Sequence, residues 1–196
     1  MGRVGVDIYP LETGVGLEDV RTFGKFLGGS PTNVAVAIAR YGHDVGAITR
    51  VGPDPLGRFI TQELVRLGVD PRFVSVVEGL KTPVVLCEIF PPDHFPLYFY
   101  RDPIAPDLMI RDDELDLAAI SDAQIFWFTV TGLTEQPSRA AHHAALSARG
   151  RAVHTIVDLD YRAELWPSEA EASAEVEKVL ALSTVAIGNQ EECAVA

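Results

Sequence analysis

Gly28-Gly29-Ser30-Pro31-Thr32-Asn33 is a stretch whose residue types and spacing suit binding. Two glycines let a ligand approach the backbone, because no Cβ intervenes. Ser30 reads as an N-cap and Pro31 as the first helical residue of Val34-Ala35-Val36-Ala37-Ile38-Ala39-Arg40-Tyr41, which stops at Gly42. Free amide N–H groups at that helix end would face a polar or anionic guest. Asn33, one turn in, both donates and accepts hydrogen bonds. A tight strand-to-helix turn with no ligand accounts for the same residues. Further along, Arg162 at the carboxyl end of a strand offers a two-pronged cation for an anionic group, and Glu192 offers a carboxylate able to face a cation. Each segment also has a plainer reading: a surface ion pair for Arg162, and a helix cap for Asn189.

These residues need elements to position them. Val4 to Tyr9, Val45 to Val51, Arg72 to Val77, Ile125 to Thr129, Ala152 to Asp158 and Thr184 to Ile187 read as strands. Helical patterns lie near Pro55 to Leu67 (capped by Asp54), Asp113 to Ile120, Pro137 to Arg149 and Ser168 to Leu182. Apolar strands alternating with amphipathic helices predict an α/β fold, a mainly parallel sheet covered on both faces. Ligands of such sheets bind at the carboxyl ends of the strands. Leu11 to Phe26 and Thr82 to Arg101 break the alternation. The second reads as two antiparallel strands around a proline-rich turn. Two such insertions suggest a small separate sheet able to cover a pocket, or a hairpin that merely packs.

Composition sets bounds. At 196 residues and 47% hydrophobic content, the chain has enough apolar material for one sizeable core. A net charge of −12 argues against an extended nucleic-acid or anionic-membrane surface. No apolar run reaches the ~20 residues of a membrane span. Cys87 and Cys193 are too few for a disulfide framework, which predicts a reducing cytoplasm. His43, His94 and His154 lack ligand spacing, and His142-His143 point in different directions on a helix, so zinc is not expected. Phe23-Gly24-Lys25-Phe26 lacks the upstream glycine and the following Ser/Thr of a P-loop, and no dinucleotide fingerprint follows the first strand. Glu169 to Lys178 reads as a solvated helix face.

The glycine turn belongs to a longer pattern. Gly28-Gly29-x-Pro31-x-Asn33-x-Ala35, then Gly42 and Gly52, resembles the N-terminal signature of the PfkB, or ribokinase-like, carbohydrate kinases. Gly52-Pro53-Asp54-Pro55-Leu56-Gly57 resembles that family's Gly-x-Asp-x-x-Gly turn. Asp158-Leu159-Asp160-Tyr161-Arg162 resembles its Asp-x-Asn-x-Arg element, with Asp160 in place of Asn. Asn189-Gln190-Glu191-Glu192 resembles its Asn-x-x-Glu motif.

The resemblance implies a ribokinase-like (Rossmann-like) sheet flanked by helices, with a small β-sheet lid from segments of about 11–27 and 82–103. It implies ATP and Mg²⁺ as cofactors. Arg162 would stabilise the phosphoryl group, and Asp160, Asn189 and Glu192 would serve ATP, phosphate and Mg²⁺, with Glu192 reaching the metal through water. Asp7, Gly28, Gly29 and Asn33 would bind sugar hydroxyls, two of which a carboxylate such as Asp7 accepts well. Gly2 to Pro10, Phe90 to Arg101 and Asp160 are similar to the branch that phosphorylates the 6-hydroxyl of a keto-deoxy-gluconate in myo-inositol catabolism. An acid sugar needs a cation, and Arg101 suits bidentate carboxylate recognition, while Phe99 on the same strand face can pack against the sugar. Fructokinases and 2-keto-3-deoxygluconate kinases share the core signature and stand as alternatives. The implied partners are the sugar acid and ATP, and a second copy paired through the lid.

These kinases carry a further signature, Asp-x-x-Gly-Ala-Gly-Asp, whose last Asp acts as base toward the sugar hydroxyl. No such run occurs in this sequence. The resemblance therefore implies one incomplete kinase domain over 1–196, the N-terminal part of the fold, holding the sugar residues and inactive alone. A non-catalytic sugar-binding module is the reading from another class.

Overall fold

Val4, Val6 and Ile8 alternate with Gly5, Asp7 and Tyr9, and this period of two makes strand β1 (Gly5–Pro10) apolar on one face and polar on the other. The computed structural model describes residues 1–152 and 154–196. Val153, inside the strand expected at 152–158, lies outside the described residues. The chain divides into two compact units, Val4–Pro106 and Met1–Arg3 with Asp107–Ala196.

In the first unit, β1 is flanked by β2 (Phe23–Gly28) and β5 (Val84–Cys87), and β6 (Leu97–Tyr100) completes the order β2-β1-β5-β6. The β1–β5 pair is parallel, and the other two pairs are antiparallel. The two insertions thus supply three of the four strands of this sheet and hydrogen-bond on either side of β1. They are also tied together by their loops. Gly14 N–H donates to Ile89 O at 2.7 Å, and Glu88 accepts both Leu17 N–H and the Tyr98 hydroxyl at 2.9 Å.

Helices α1 (Ser30–Arg40) and α2 (Pro55–Arg66) cover the apolar face of this sheet. Val4, Val6, Ala35, Val51, Ile60 and Leu64 form its core, with Ile8, Leu27, Val36 and Phe59 packed around them. Each large side chain buried there contributes roughly 1.5–3 kcal/mol. Asp54 caps α2 as expected, accepting Leu56 and Gly57 N–H at 3.0 and 2.8 Å, while its other oxygen accepts Thr82 N–H at 2.8 Å. Burial pushes this carboxyl upward, but hydrogen bonds from Thr82, Gly57 and Leu56 hold it below its usual range. The Gly-x-Asp-x-x-Gly turn is therefore a structural cap here. Ser30 is not the cap of α1: Gly29 holds that place at φ 104°, and Ser30 is already helical. The strand expected at 45–51 shortens to β3 (Thr49–Val51), paired in parallel with β4 (Val74–Val76).

The second unit carries a parallel sheet in the order β7-β8-β9, of Phe126–Thr129, Thr155–Asp158 and Val185–Ile187. The helix expected at 113–120 is broken. A 3₁₀ turn spans Asp112–Glu114, and α3 (Leu117–Asp122) restarts where the Asp116 carboxylate accepts Ala119 N–H at 2.9 Å. Helices α4 (Ser138–Arg149), α5 (Glu169–Leu180) and α6 (Gln190–Val195) follow. The adjacent histidines of α4 do diverge. His142 is fully buried, with Nδ1 2.8 Å from Ser138 O, and burial pulls it down to about 3, so it stays neutral. His143 meets Glu175 of α5, whose other oxygen accepts Lys178 Nζ at 2.7 Å. Glu175 is only 4% exposed, so the face expected to be solvated buries one of its carboxylates. Among the described residues, no helix is long and apolar enough to cross a membrane.

Candidate functional site

Strand register settles which side chains share the polar face of β1. Asp7 lies opposite Phe26 on β2 and Val85 on β5, and Val85 lies opposite Phe99 on β6. Partners across a ladder point to the same side, so Phe26, Asp7, Val85 and Phe99 form one row. Gly28, opposite Gly5, ends the β2 side of that face. A Cβ at Gly28 would stand 2.0 Å from Asp7 Oδ1, so the carboxylate occupies the space that any side chain there would need. Thr32 Oγ1, buried in the first turn of α1, is 2.7 Å from both Gly28 O and Gly29 O and anchors the turn. Asn33 is exposed on α1 and lines a groove of about 610 Å³ with Lys25, Phe26, Arg40, Tyr41 and Arg66. Arg101 follows β6 directly and is half-buried.

Asp7, Gly28, Gly29 and Phe99 are thus gathered on or beside one sheet face, with Phe26 common to that face and the groove of Asn33. One member escaped the sequence reading. Tyr9 donates its hydroxyl to Asp7 Oδ2 at 3.1 Å. The signal was present, since Tyr9 is two residues from Asp7 on a strand.

In the second unit, the loop after β8 gathers four charges. Asp160 takes φ 27°, a left-handed conformation that only a few non-glycine residues adopt. Its carboxylate accepts Arg3 Nε at 2.9 Å and Arg3 Nη2 at 3.2 Å, and pairs with Arg162 Nη2 at 2.8 Å. Arg162 Nη1 also donates to Glu192 Oε1 at 3.2 Å. Glu192 Oε2 accepts Asn189 N–H at 2.9 Å, while Asn189 Oδ1 accepts Glu192 N–H at 2.8 Å, a reciprocal capping box at the start of α6. The four residues expected to work together here, Asp160, Arg162, Asn189 and Glu192, are therefore one connected network.

Two further residues belong to this network. Arg3 lies 157 positions from Asp160 in sequence, and no local pattern announces it. Asp158 ends β8, and its Oδ1 accepts Asp160 N–H at 3.3 Å. Burial pushes the Asp158 carboxyl up to about 6, and the Asp160 and Glu192 carboxylates push the same way. As a metal centre the network is weak on its own. Among the described residues, no group of three or more His, Cys, Asp or Glu is placed to hold an ion. Glu192 is committed to an arginine and a backbone amide.

Comparison with known proteins bears on the family and the fold. Residues 1–196 match the profile of the pfkB family carbohydrate kinases. The 5-dehydro-2-deoxygluconokinase of Lacticaseibacillus casei is 35% identical over 194 residues, which are 98% of this chain and 59% of that protein. An uncharacterized sugar kinase from Pyrococcus horikoshii, solved in complex with ATP, matches 94% of this chain and 60% of its own with TM-score 0.84 and 27% identity. The 2-dehydro-3-deoxygluconokinase of Thermotoga maritima shares the fold, with TM-score 0.89 over all of this chain and 60% of its own at 23% identity. The chain spans about three-fifths of the length of the relatives it matches. With its α/β ribokinase-like fold and a family match over residues 1–196, this chain belongs to the pfkB family of carbohydrate kinases.

Proposed function

We propose that this chain supplies the sugar-recognition residues and part of the phosphoryl-handling residues of an ATP-dependent kinase. Its substrate would be a keto-deoxy sugar acid of the 5-dehydro-2-deoxygluconate type, phosphorylated at the 6-hydroxyl. The observation that carries the reading is the Asp7 carboxylate lying over Gly28, in one row with Phe99. A carboxylate beside bare backbone accepts hydroxyl protons, and an aromatic face packs on the apolar side of a sugar ring or chain. Gly29 and Asn33 extend the polar contacts, and Arg101 answers the acid group with a two-pronged donor.

In the second unit, Arg162 offers a guanidinium whose orientation is set by Asp160 and Glu192, suited to stabilising charge on a phosphoryl group. Mg²⁺ would supply further charge neutralisation on the nucleotide phosphates, reached from Glu192 through water. Asn189 holds Glu192 in place. The lid segments of about 11–27 and 82–103 would exclude water over the sugar. The open edges of β2 and β6 suit pairing with a second copy, and the two free cysteines suit a reducing cytoplasm.

Fructokinase and 2-keto-3-deoxygluconate kinase activities share most of these residues, and Arg101 separates the acid substrates from the neutral one. Calorimetric titration of the 196-residue chain with 5-dehydro-2-deoxygluconate, fructose and ribose tests the reading, with a coupled ADP-release assay alongside. The expected result is preferential binding of the acid, weakened at least tenfold by Arg101→Ala, with no turnover. Equal affinity for the acid and the neutral sugars removes the acid assignment. Turnover at kinase-like rates of ~1–100 per second removes the claim that this chain alone is inactive.

A further inference from the structure

Tyr9 lies in the Gly2 to Pro10 stretch but was given no role of its own, yet its side chain grips Asp7. The phenol donates to Asp7 Oδ2 at 3.1 Å. Register places Gly24 opposite Tyr9 and Phe26 opposite Asp7. The Phe26 ring leans over Gly24, where an added Cβ would meet it at 2.7 Å, and reaches Tyr9 with ring centroids 5.7 Å apart. The phenol is thus fixed along its ring by an aromatic neighbour and at its tip by a carboxylate.

An aspartate on an open sheet face has two side-chain torsions and can present its oxygens in several directions. A donor fixed on Oδ2 selects one of them, and the observed one sets Oδ1 over Gly28. Each carboxylate oxygen accepts more than one hydrogen bond, so the fixed group keeps acceptor capacity toward a ligand. The donor is also neutral and leaves the negative charge of Asp7 intact. Burial and the Asp7 charge both push the phenol up, to about 12, so it stays a donor at any pH at which the protein works.

We propose that Tyr9 is a positioning residue of the sugar subsite: it holds the Asp7 carboxylate with Oδ1 over Gly28, ready to accept a substrate hydroxyl. The proposal rests on the sugar-binding reading of Asp7 given above. Tyr9→Phe keeps the ring packed on Phe26 and removes only the donor, so this variant is expected to melt with the wild type.

The test uses the 196-residue chain as wild type, Tyr9→Phe, Asp7→Asn and the double variant. Calorimetric titration with 5-dehydro-2-deoxygluconate is combined with NMR of tyrosine labelled at ring carbon Cζ between pH 7 and 11. Loss of one positioning hydrogen bond should weaken binding about three- to tenfold in Tyr9→Phe. Added to Asp7→Asn, the same change should have less than about a twofold further effect, because the pair acts as a unit. The Tyr9 resonance should stay in its protonated position through pH 11 in the wild type and ionise earlier in Asp7→Asn. If the wild type binds the acid and Tyr9→Phe binds it within twofold, the role of Tyr9 falls while the sugar reading stands. If the two losses multiply, the residues act independently and the proposal also falls. If the wild type binds no sugar while the Tyr9–Asp7 coupling is seen by NMR, the sugar reading fails and takes this inference with it.

Discussion

On the β1–β2 face, the half-buried Asp7 lies over a neighbour that has no side chain; after β8, Asp160, Arg162 and Glu192 are held by groups of opposite sign. Gly28 has no side chain, and its absence is where the carboxylate sits. Asp160, by contrast, takes a left-handed backbone and is gripped by Arg3 and Arg162. The first arrangement is intolerant of added atoms and indifferent to modest loss of charge nearby. The second is tolerant of size and intolerant of lost charge. A ligand of neutral hydroxyls suits the first, because it needs room and an acceptor. An anionic group suits the second, because a guanidinium already oriented by carboxylates loses little freedom on meeting it.

Breaking the charged network should have the largest effect. Asp160→Ala removes the common partner of two arginines, and the Asp160 side chain is only 4% exposed. Deleting one member of such a buried pair is expected to destabilise by about 3–5 kcal/mol. Asp160→Asn keeps a residue that tolerates φ 27° and loses only the charge, so it should fall between the wild type and Asp160→Ala. Chemical denaturation of the three chains checks this order. Equal stabilities would mean that Arg3 and Arg162 do not depend on Asp160.

A middle-sized effect is expected on the sheet face. Gly28→Ala puts a methyl group 2.0 Å from Asp7 Oδ1, and an aspartate has little length with which to retreat. The overpacking should destabilise by roughly 1–3 kcal/mol and displace the carboxylate. Sugar binding measured by calorimetry should then fall at least tenfold, a larger loss than the stability change alone explains. Binding that survives Gly28→Ala would show that Asp7 does not need its place over residue 28.

The same contrast explains what could be read from the sequence. The period-two pattern of Val4 to Tyr9 and the Asp54 cap are local, and both the strand and the cap formed. Asn189 and Glu192 are three residues apart, and their capping box is equally local. Arg3 was invisible because its partner lies 157 positions away and only tertiary folding brings them together. Ser30 failed as a cap because cap propensity competed with a glycine able to take φ 104° one residue earlier. The helix expected at 113–120 failed because a run of Asp residues offers side-chain acceptors to nearby backbone, and Asp116 restarted the helix. Tyr9 was missed for a different reason: it stands in the Gly2 to Pro10 stretch, two residues from Asp7 on one strand, but only Asp7 was given a role there.

The smallest expected effect concerns Asp158, where like charges rather than opposite ones meet. Its carboxyl is raised from an ordinary 3.8 to about 6 by burial, reinforced by Asp160 and Glu192. A folded-state value above the unfolded one means that the ionised form is disfavoured by folding. At pH 7 Asp158 is charged and subtracts from stability. As pH falls through 6 toward 3.8, the folded protein takes up the proton first and the penalty fades. Asp158→Asn keeps an Oδ1 acceptor for Asp160 N–H while removing the charge. The variant should therefore be more stable than the wild type at pH 7, by less than about 1 kcal/mol once solvent screening of a half-buried group is allowed for. The advantage should vanish near pH 4. Denaturation midpoints of both chains at pH 7, 6, 5 and 4 provide the check. A difference that stays constant with pH would mean that Asp158 does not sense the neighbouring carboxylates. A less stable variant at pH 7 would show that its charge is wanted by Arg3 more than it is resented by Asp160 and Glu192, and would join Asp158 to the ion-paired side of the comparison.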